Sequence, residues 1–106
     1  MKEHELQLTD EAVEDVQEIF DWYEKQLKGL GERFMQSLDQ GFQKIEIAPF
    51  SFAHTGFFDF RRHVLKTFPY KVFYLLQKES IVIVAIVHKS GLTNIGRVSL
   101  EKEELS

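Results

Sequence analysis

The residues best suited to chemistry are clustered in the second half of the chain. Arg61, Arg62, His63, Lys66, Tyr70, Lys71, His88, Lys89 and Arg97 put cations, imidazoles and a phenol within a few short segments. Cations interleaved with an aromatic ring can hold a phosphate backbone and stack a base. The same groups can grip a carboxylate-rich peptide, or they can form an ordinary solvated sheet face with lysines protecting an edge. Strand alternation divides them further: Arg61, His63 and Leu65 go to one face, and Arg62, Val64 and Lys66 to the other. Only one of these sets can share an open face.

Other chemistries lack their residues. The sequence has no Walker loop, dinucleotide-binding glycine pattern, HExxH or nucleophile elbow. Its four histidines, His4, His54, His63 and His88, are not paired at metal-ligand spacing, and there is no cysteine. No metal or cofactor is therefore expected. Glu14, Asp15, Glu18 and Asp21 are read as a solvated helix face rather than a site.

The elements that position the basic residues follow from periodicity. His4 to Leu8 alternates like a short strand. Thr9 is placed as an N-cap, with Asp10 and Glu11 in the first turn of a helix. Val13, Val16, Ile19, Phe20, Tyr23 and Leu27 supply its apolar stripe. Lys28-Gly29-Leu30-Gly31 breaks it. A second helix is expected from about Glu32 to Ile47, with Phe34, Leu38, Phe42 and Ile45 inward and Pro49 closing it. Beyond an irregular connection the period changes to that of strands: Phe60–Lys66, then Tyr70–Leu76 after the Phe68-Pro69 corner. Gln77 to Ser80 is a hairpin turn. Ile81–His88 is apolar on both faces and so central, and Ile95–Leu100 suits a short last strand. The expected fold is α+β, in the order β-α-α-β-β-β, with an antiparallel helical hairpin packed on an antiparallel sheet.

The chain has 106 residues, which suits one domain spanning 1–106, with 101–106 as a frayed tail. Its net charge of −4 conceals an asymmetry: residues 1–50 carry −7, residues 51–100 carry +5 and the last six carry −2. An acidic helical half would thus face away from an anion-seeking half. The opening MKEHELQL has no signal-peptide core, and the apolar run Ile81–Val87 is too short to span a bilayer. A cytoplasmic location with no membrane partner is expected.

The pattern resembles the RelE/ParE superfamily of toxins from type II toxin–antitoxin modules, over about residues 4–97. The likeness opens with Leu8-Thr9, Ala12, Asp15-Val16, Ile19 and Tyr23. It continues through Gly29-Leu30-Gly31, Phe34, Leu38, Ile45 and Pro49. Its most specific stretch is Arg61-Arg62-x-x-Leu65-x-x-Phe68-Pro69-Tyr70-Lys71-Val72-x-Tyr74, followed by an apolar strand leading into Ile86-Val87-His88. The resemblance implies a cognate antitoxin partner that carries the DNA-binding role, so no direct sequence-specific DNA binding is expected of this chain. It also implies one of two activities. RelE-like members are ribosome-dependent, metal-independent mRNA endonucleases that activate a ribose 2′-OH; ParE-like members poison DNA gyrase and cleave nothing themselves.

As a nuclease, this chain would use Arg62 and Lys71 as phosphate clamps, with Tyr70 or His88 in proton transfer. Ser90 and Gly91 stand where such nucleases carry Arg, and Gly96 stands where they carry an aromatic. The resemblance is therefore nearer to ParE, with protein–protein inhibition, possibly of gyrase, as the expected activity and plasmid stabilisation as the implied role. Arg61, Arg62, Lys71, His88, Lys89 and Arg97 are the expected binding residues, with Arg61 also suited to anchoring the sheet. The alternatives are the RelE-like nuclease and a non-toxic module that only binds an antitoxin.

Overall fold

The computed structural model describes residues 5–53, 55 and 60–90. The chain runs β1 (Glu5–Leu8), α1 (Asp10–Gln26), α2 (Leu30–Ile47), β2 (Phe60–Val64), β3 (Tyr70–Leu76) and β4 (Ser80–His88). This is the order read from periodicity. The strands form one sheet in the order β1-β4-β3-β2. β2, β3 and β4 make the expected antiparallel meander. β1 adds to β4 in parallel, from Glu5↔Ser80 to Leu8↔Ile83, so the sheet as a whole is mixed. The helical hairpin supplies the long crossover that a parallel neighbour requires. β4 is central, flanked by β1 and β3. The expected strand Ile95–Leu100 and the tail lie outside the described residues.

Thr9 caps α1 as its position demands: its Oγ1 accepts the Ala12 N–H at 3.1 Å. The turn between the helices depends on Gly29, whose φ of 90° suits glycine. From α1, Glu24 reaches over it. Its two carboxylate oxygens accept the N–H groups of Gly29 and Gly31 at 2.8 and 2.9 Å, satisfying donors at the α2 N-terminus. With that cap in place α2 begins at Leu30, slightly before the expected Glu32.

Both helices cover one face of the sheet. Phe34, Leu38 and Ile45 of α2 and Ala12 and Ile19 of α1 pack there with Val72, Tyr74, Ile81, Ile83 and Ile86. Burying a side chain such as Phe34 completely contributes about 1.5–3 kcal/mol. The buried face of α1 is rotated relative to the expected stripe. Val13 and Leu27 are exposed, while Asp15 is buried.

Asp15 therefore does not belong to a solvated acidic face. Its Oδ2 accepts the Ile86 N–H at 3.0 Å. The β1 ladder on β4 ends at Leu8↔Ile83, and among the described residues no strand continues it toward His88. Asp15 supplies the acceptor that a longer β1 would have offered. The β3–β4 register also shifts between Phe73 and Tyr74, where Phe73 pairs with Ala85 but Tyr74 with Ile83. The extra residue turns Ile86 onto the same face as Ile81 and Ile83.

Candidate functional site

Alternation along β2 divides its cations as the sequence requires. His63 and Leu65 are buried toward the helices with Arg61, while Arg62, Val64 and Lys66 are exposed. On β3, Tyr70, Val72 and Tyr74 are buried, whereas Lys71, Phe73 and Leu75 are half-buried on the other face. Arg62 opposes Phe73, and Val64 opposes Lys71. Arg62 and Lys71 are thus diagonal neighbours on the helix-free face, about 7–8 Å apart in a regular ladder. With Val64 and Phe73 between them, they form a mixed cationic and apolar surface. A single anionic group can engage both, through a fork from Arg62 and a point charge from Lys71.

The other two proposed nuclease residues lie elsewhere. Tyr70 opposes His88 across β3 and β4, their rings meeting edge to face with centroids 5.3 Å apart. This pair belongs to the helix side. Tyr70 is buried within a ring cluster of Tyr23, Phe34 and Phe68. Burial, then the hydrogen bond with Tyr23, pushes its phenol well above the ordinary tyrosine range. Such a group holds its proton and has no path to a substrate on the open face. The Nδ1 of His88 accepts the Ser90 N–H at 3.1 Å and lies 2.9 Å from Ser90 Oγ. A backbone N–H can only donate, so a neutral His88 carries its proton on Nε2. Ser90, standing where the nucleases carry Arg, thus fixes the imidazole within its own turn. Lys89 is exposed, and its backbone N–H donates to Pro69 O at 2.8 Å, tying that turn to the Pro corner.

Arg61 has a different task from Arg62. Its Nη1 donates to Phe52 O at 2.9 Å and to Phe50 O at 3.3 Å, and its guanidinium lies 5.6 Å from the centre of the Phe50 ring. Tyr74, opposite Arg61, donates its hydroxyl to Pro49 O at 2.7 Å. Arg61 is therefore the anchor that its inward position allows, holding the segment that leaves α2. That segment returns along the free edge of β2, where Arg62 N donates to Ala53 O and Thr55 N to Phe60 O, both at 3.0 Å.

Of the expected binding residues, Arg62 and Lys71 come together. His88 and Lys89 share a neighbouring turn, Arg61 is engaged in the fold, and Arg97 lies outside the described residues. The residues that sequence reasoning passed over are Asp15 and Glu24. The signal for Asp15 was its setting between Ala12, Val16 and Ile19, which places it on the buried face at helical spacing. No helix of the described residues is long and apolar enough to cross a membrane.

The model of a protein family described as the ParE toxin of the type II toxin–antitoxin system parDE matches residues 6–92. A search of curated proteins returned no match. Among solved structures, the chain is similar to one titled "Chromosomal ParDE TA system from P. aeruginosa". The TM-score is 0.73 at 17% identity, covering 81% of this chain and 96% of that one. At that identity the likeness is one of fold.

Proposed function

The chain belongs to the ParE toxin family of type II toxin–antitoxin systems, and we propose that it arrests growth by binding and inhibiting a protein target, with DNA gyrase as that target. The proposal sets the protein in the cytoplasm, neutralised by a cognate antitoxin, and gives it the plasmid-stabilising role of such modules. The binding surface would be the open sheet face around Arg62 and Lys71, with Lys89 at its margin.

The observation that carries this reading is the separation of the four nuclease candidates. Arg62 and Lys71 are on one face of the sheet, while Tyr70 and His88 are on the other. Cleavage through a 2′-OH needs a cation and a proton donor on the same phosphate, and these pairs do not meet. A protein surface needs no such convergence. It needs apolar contact with a few charges for register and partner choice.

The reading is tested by two reactions with one preparation. Purified protein is added to gyrase with supercoiled DNA, and separately to translating ribosomes with a defined message. The expected result is accumulated gyrase–DNA cleavage complexes with intact mRNA, both in amounts that Arg62→Glu alters only in the gyrase reaction. Cleaved mRNA with unaffected gyrase would reverse the assignment in favour of the nuclease. If neither reaction responds although growth arrests, the target is a different protein and gyrase is excluded.

A further inference from the structure

On the open face of the sheet, opposite the helices, the register sets side chains in rows. Lys71 lies between Val64 and Val87, and Phe73 between Arg62 and Ala85. The next row is centred on Leu75 and is wholly apolar. None of these positions is acidic, and their only charges are those of Arg62 and Lys71. Ala85 and Val87 are buried, at 3% and 9% exposure, and Phe73 and Leu75 are half-buried, although both helices pack on the other face. A solvated face of an antiparallel sheet is normally polar. A contiguous apolar one marks a surface that another segment or molecule covers.

The described chain ends at Ser90, just past β4, the strand that carries Val87. The family match ends at residue 92, and residues 93–106 lie beyond it. Their sequence sets Ile95, Val98 and Leu100 ahead of Glu101, Glu103 and Glu104. An apolar run followed by an acidic one complements apolar rows crossed by Arg62 and Lys71. The last six residues carry −2, which matches those two cations. The distances are short. Sixteen residues follow Ser90, enough to span about 50 Å when extended. The strand of Arg62 lies two strand spacings from β4, about 10 Å.

We propose that the C-terminal segment of this chain is the cover: residues 93–106 lie across the open sheet face, with Ile95, Val98 and Leu100 on its apolar rows and the glutamates at Arg62 and Lys71. Apolar contact holds the segment, and charge sets its register. A tethered segment meets its seat at high effective concentration, so weak contacts suffice to occupy it. The consequence is self-competition, since a target that uses Arg62 and Lys71 must displace the tail. That consequence rests on the reading above, whereas the seat itself does not.

The chain has no cysteine, so Ser106→Cys gives one attachment point for a nitroxide on the full-length protein. Amide NMR intensities are compared with the nitroxide oxidised and reduced. Loss of signal is expected at Lys71, Phe73 and Leu75, and not at Val13 or Trp22, which are exposed on α1. Glu101→Lys, Glu103→Lys and Glu104→Lys together should return most of that intensity, and so should Arg62→Glu with Lys71→Glu. The two sets combined should lose it again. A loss that is absent, spread evenly over the protein, or unmoved by either reversal overturns the proposal. So does loss in isotope-enriched, unlabelled protein mixed with the spin-labelled form, since that seats the tail on a second copy. Growth arrest is the separate readout for competition. Arrest strengthened by the tail reversal supports it. A docked tail whose reversal leaves arrest unchanged keeps the seat and overturns the target surface assigned above.

Discussion

Arg61 and Tyr74 stand directly opposite each other on β2 and β3, and between them they hold three backbone carbonyls of the segment that leaves α2, those of Pro49, Phe50 and Phe52. Burial raises the pKa of the Tyr74 phenol, with the nearby Arg61 charge opposing that shift. Tyr74→Phe keeps the ring and removes one donor from a buried carbonyl, at an expected cost of about 1–3 kcal/mol. Urea denaturation of Tyr74→Phe, Arg61→Ala and the double variant checks it. The two effects should be non-additive by at least about 0.5 kcal/mol, since both residues restrain one segment. Strict additivity would show that they act separately.

Asp15 and Ile86 are 71 residues apart in sequence and joined by one hydrogen bond. Asp15→Ala should leave a buried N–H without its acceptor and destabilise the fold by about 1–3 kcal/mol. Asp15→Asn keeps an acceptor oxygen and should lose less. Hydrogen exchange gives the local readout: the Ile86 amide should exchange faster in Asp15→Ala and stay close to the parent in Asp15→Asn. Unchanged protection at Ile86 would mean that the carboxylate does not hold the strand edge.

The buried His63 makes stability depend on pH. Its folded pKa lies below the usual 6.5, so the unfolded chain takes up a proton first as pH falls. The contribution of neutral His63 is complete above about pH 6.5 and is lost as pH drops toward the folded value. Melting temperatures between pH 5 and 7.5 should fall more steeply in the parent than in His63→Gln, which does not titrate. Parallel curves would refute the coupling.

Tyr70 separates the two activities by a single atom. Its hydroxyl is buried and bonded with Tyr23. Tyr70→Phe should therefore leave growth arrest unchanged at equal levels of folded protein. Arg62→Glu, on the open face, should reduce arrest with little effect on melting temperature, since exposed substitutions rarely cost more than about 0.5 kcal/mol. Viable counts after induction, normalised to soluble protein, distinguish them. Loss of arrest in Tyr70→Phe alone would restore the phenol as a chemical group.

The Glu24 cap should matter to the hairpin more than its position suggests. It serves two N–H donors at the start of α2. Glu24→Ala should cost about 0.5–2 kcal/mol, the usual range for losing a helix cap. Chemical denaturation measures the loss, and Glu24→Gln should recover part of it.

Much of this was legible because short-range rules govern it. Thr9 as a cap, Gly29 at the turn and the central place of β4 all follow from local spacing. What escaped depends on contacts between distant segments. Helical spacing sets Asp15 beside Ala12 and Ile19, but the strand N–H that it serves depends on where β1 ends on β4, which no pattern within α1 records. With Asp15 inward, Val13 faces outward, and Leu27 lies beyond the end of α1, where it is exposed. The extra residue opposite Phe73 and Tyr74 changes which β4 side chains point inward, although a uniformly apolar run gives no sign of it. The site shows the same division. Alternation separated Arg61 from Arg62, but that Tyr70 and His88 lie on the face opposite Lys71 emerges only from the pairing of three strands.

The parallel pairing of β1 with β4 also governs when this molecule can exist. The first strand finds its partner in the last described one, so during synthesis Glu5–Leu8 must wait for Ser80–Ile83 to emerge. The Asp15 bond waits for Ile86 in the same way. Contacts this far apart in sequence form late and slowly, and until they form the core lacks its central strand. The fold therefore stays incomplete until the segment up to Ile86 has been made.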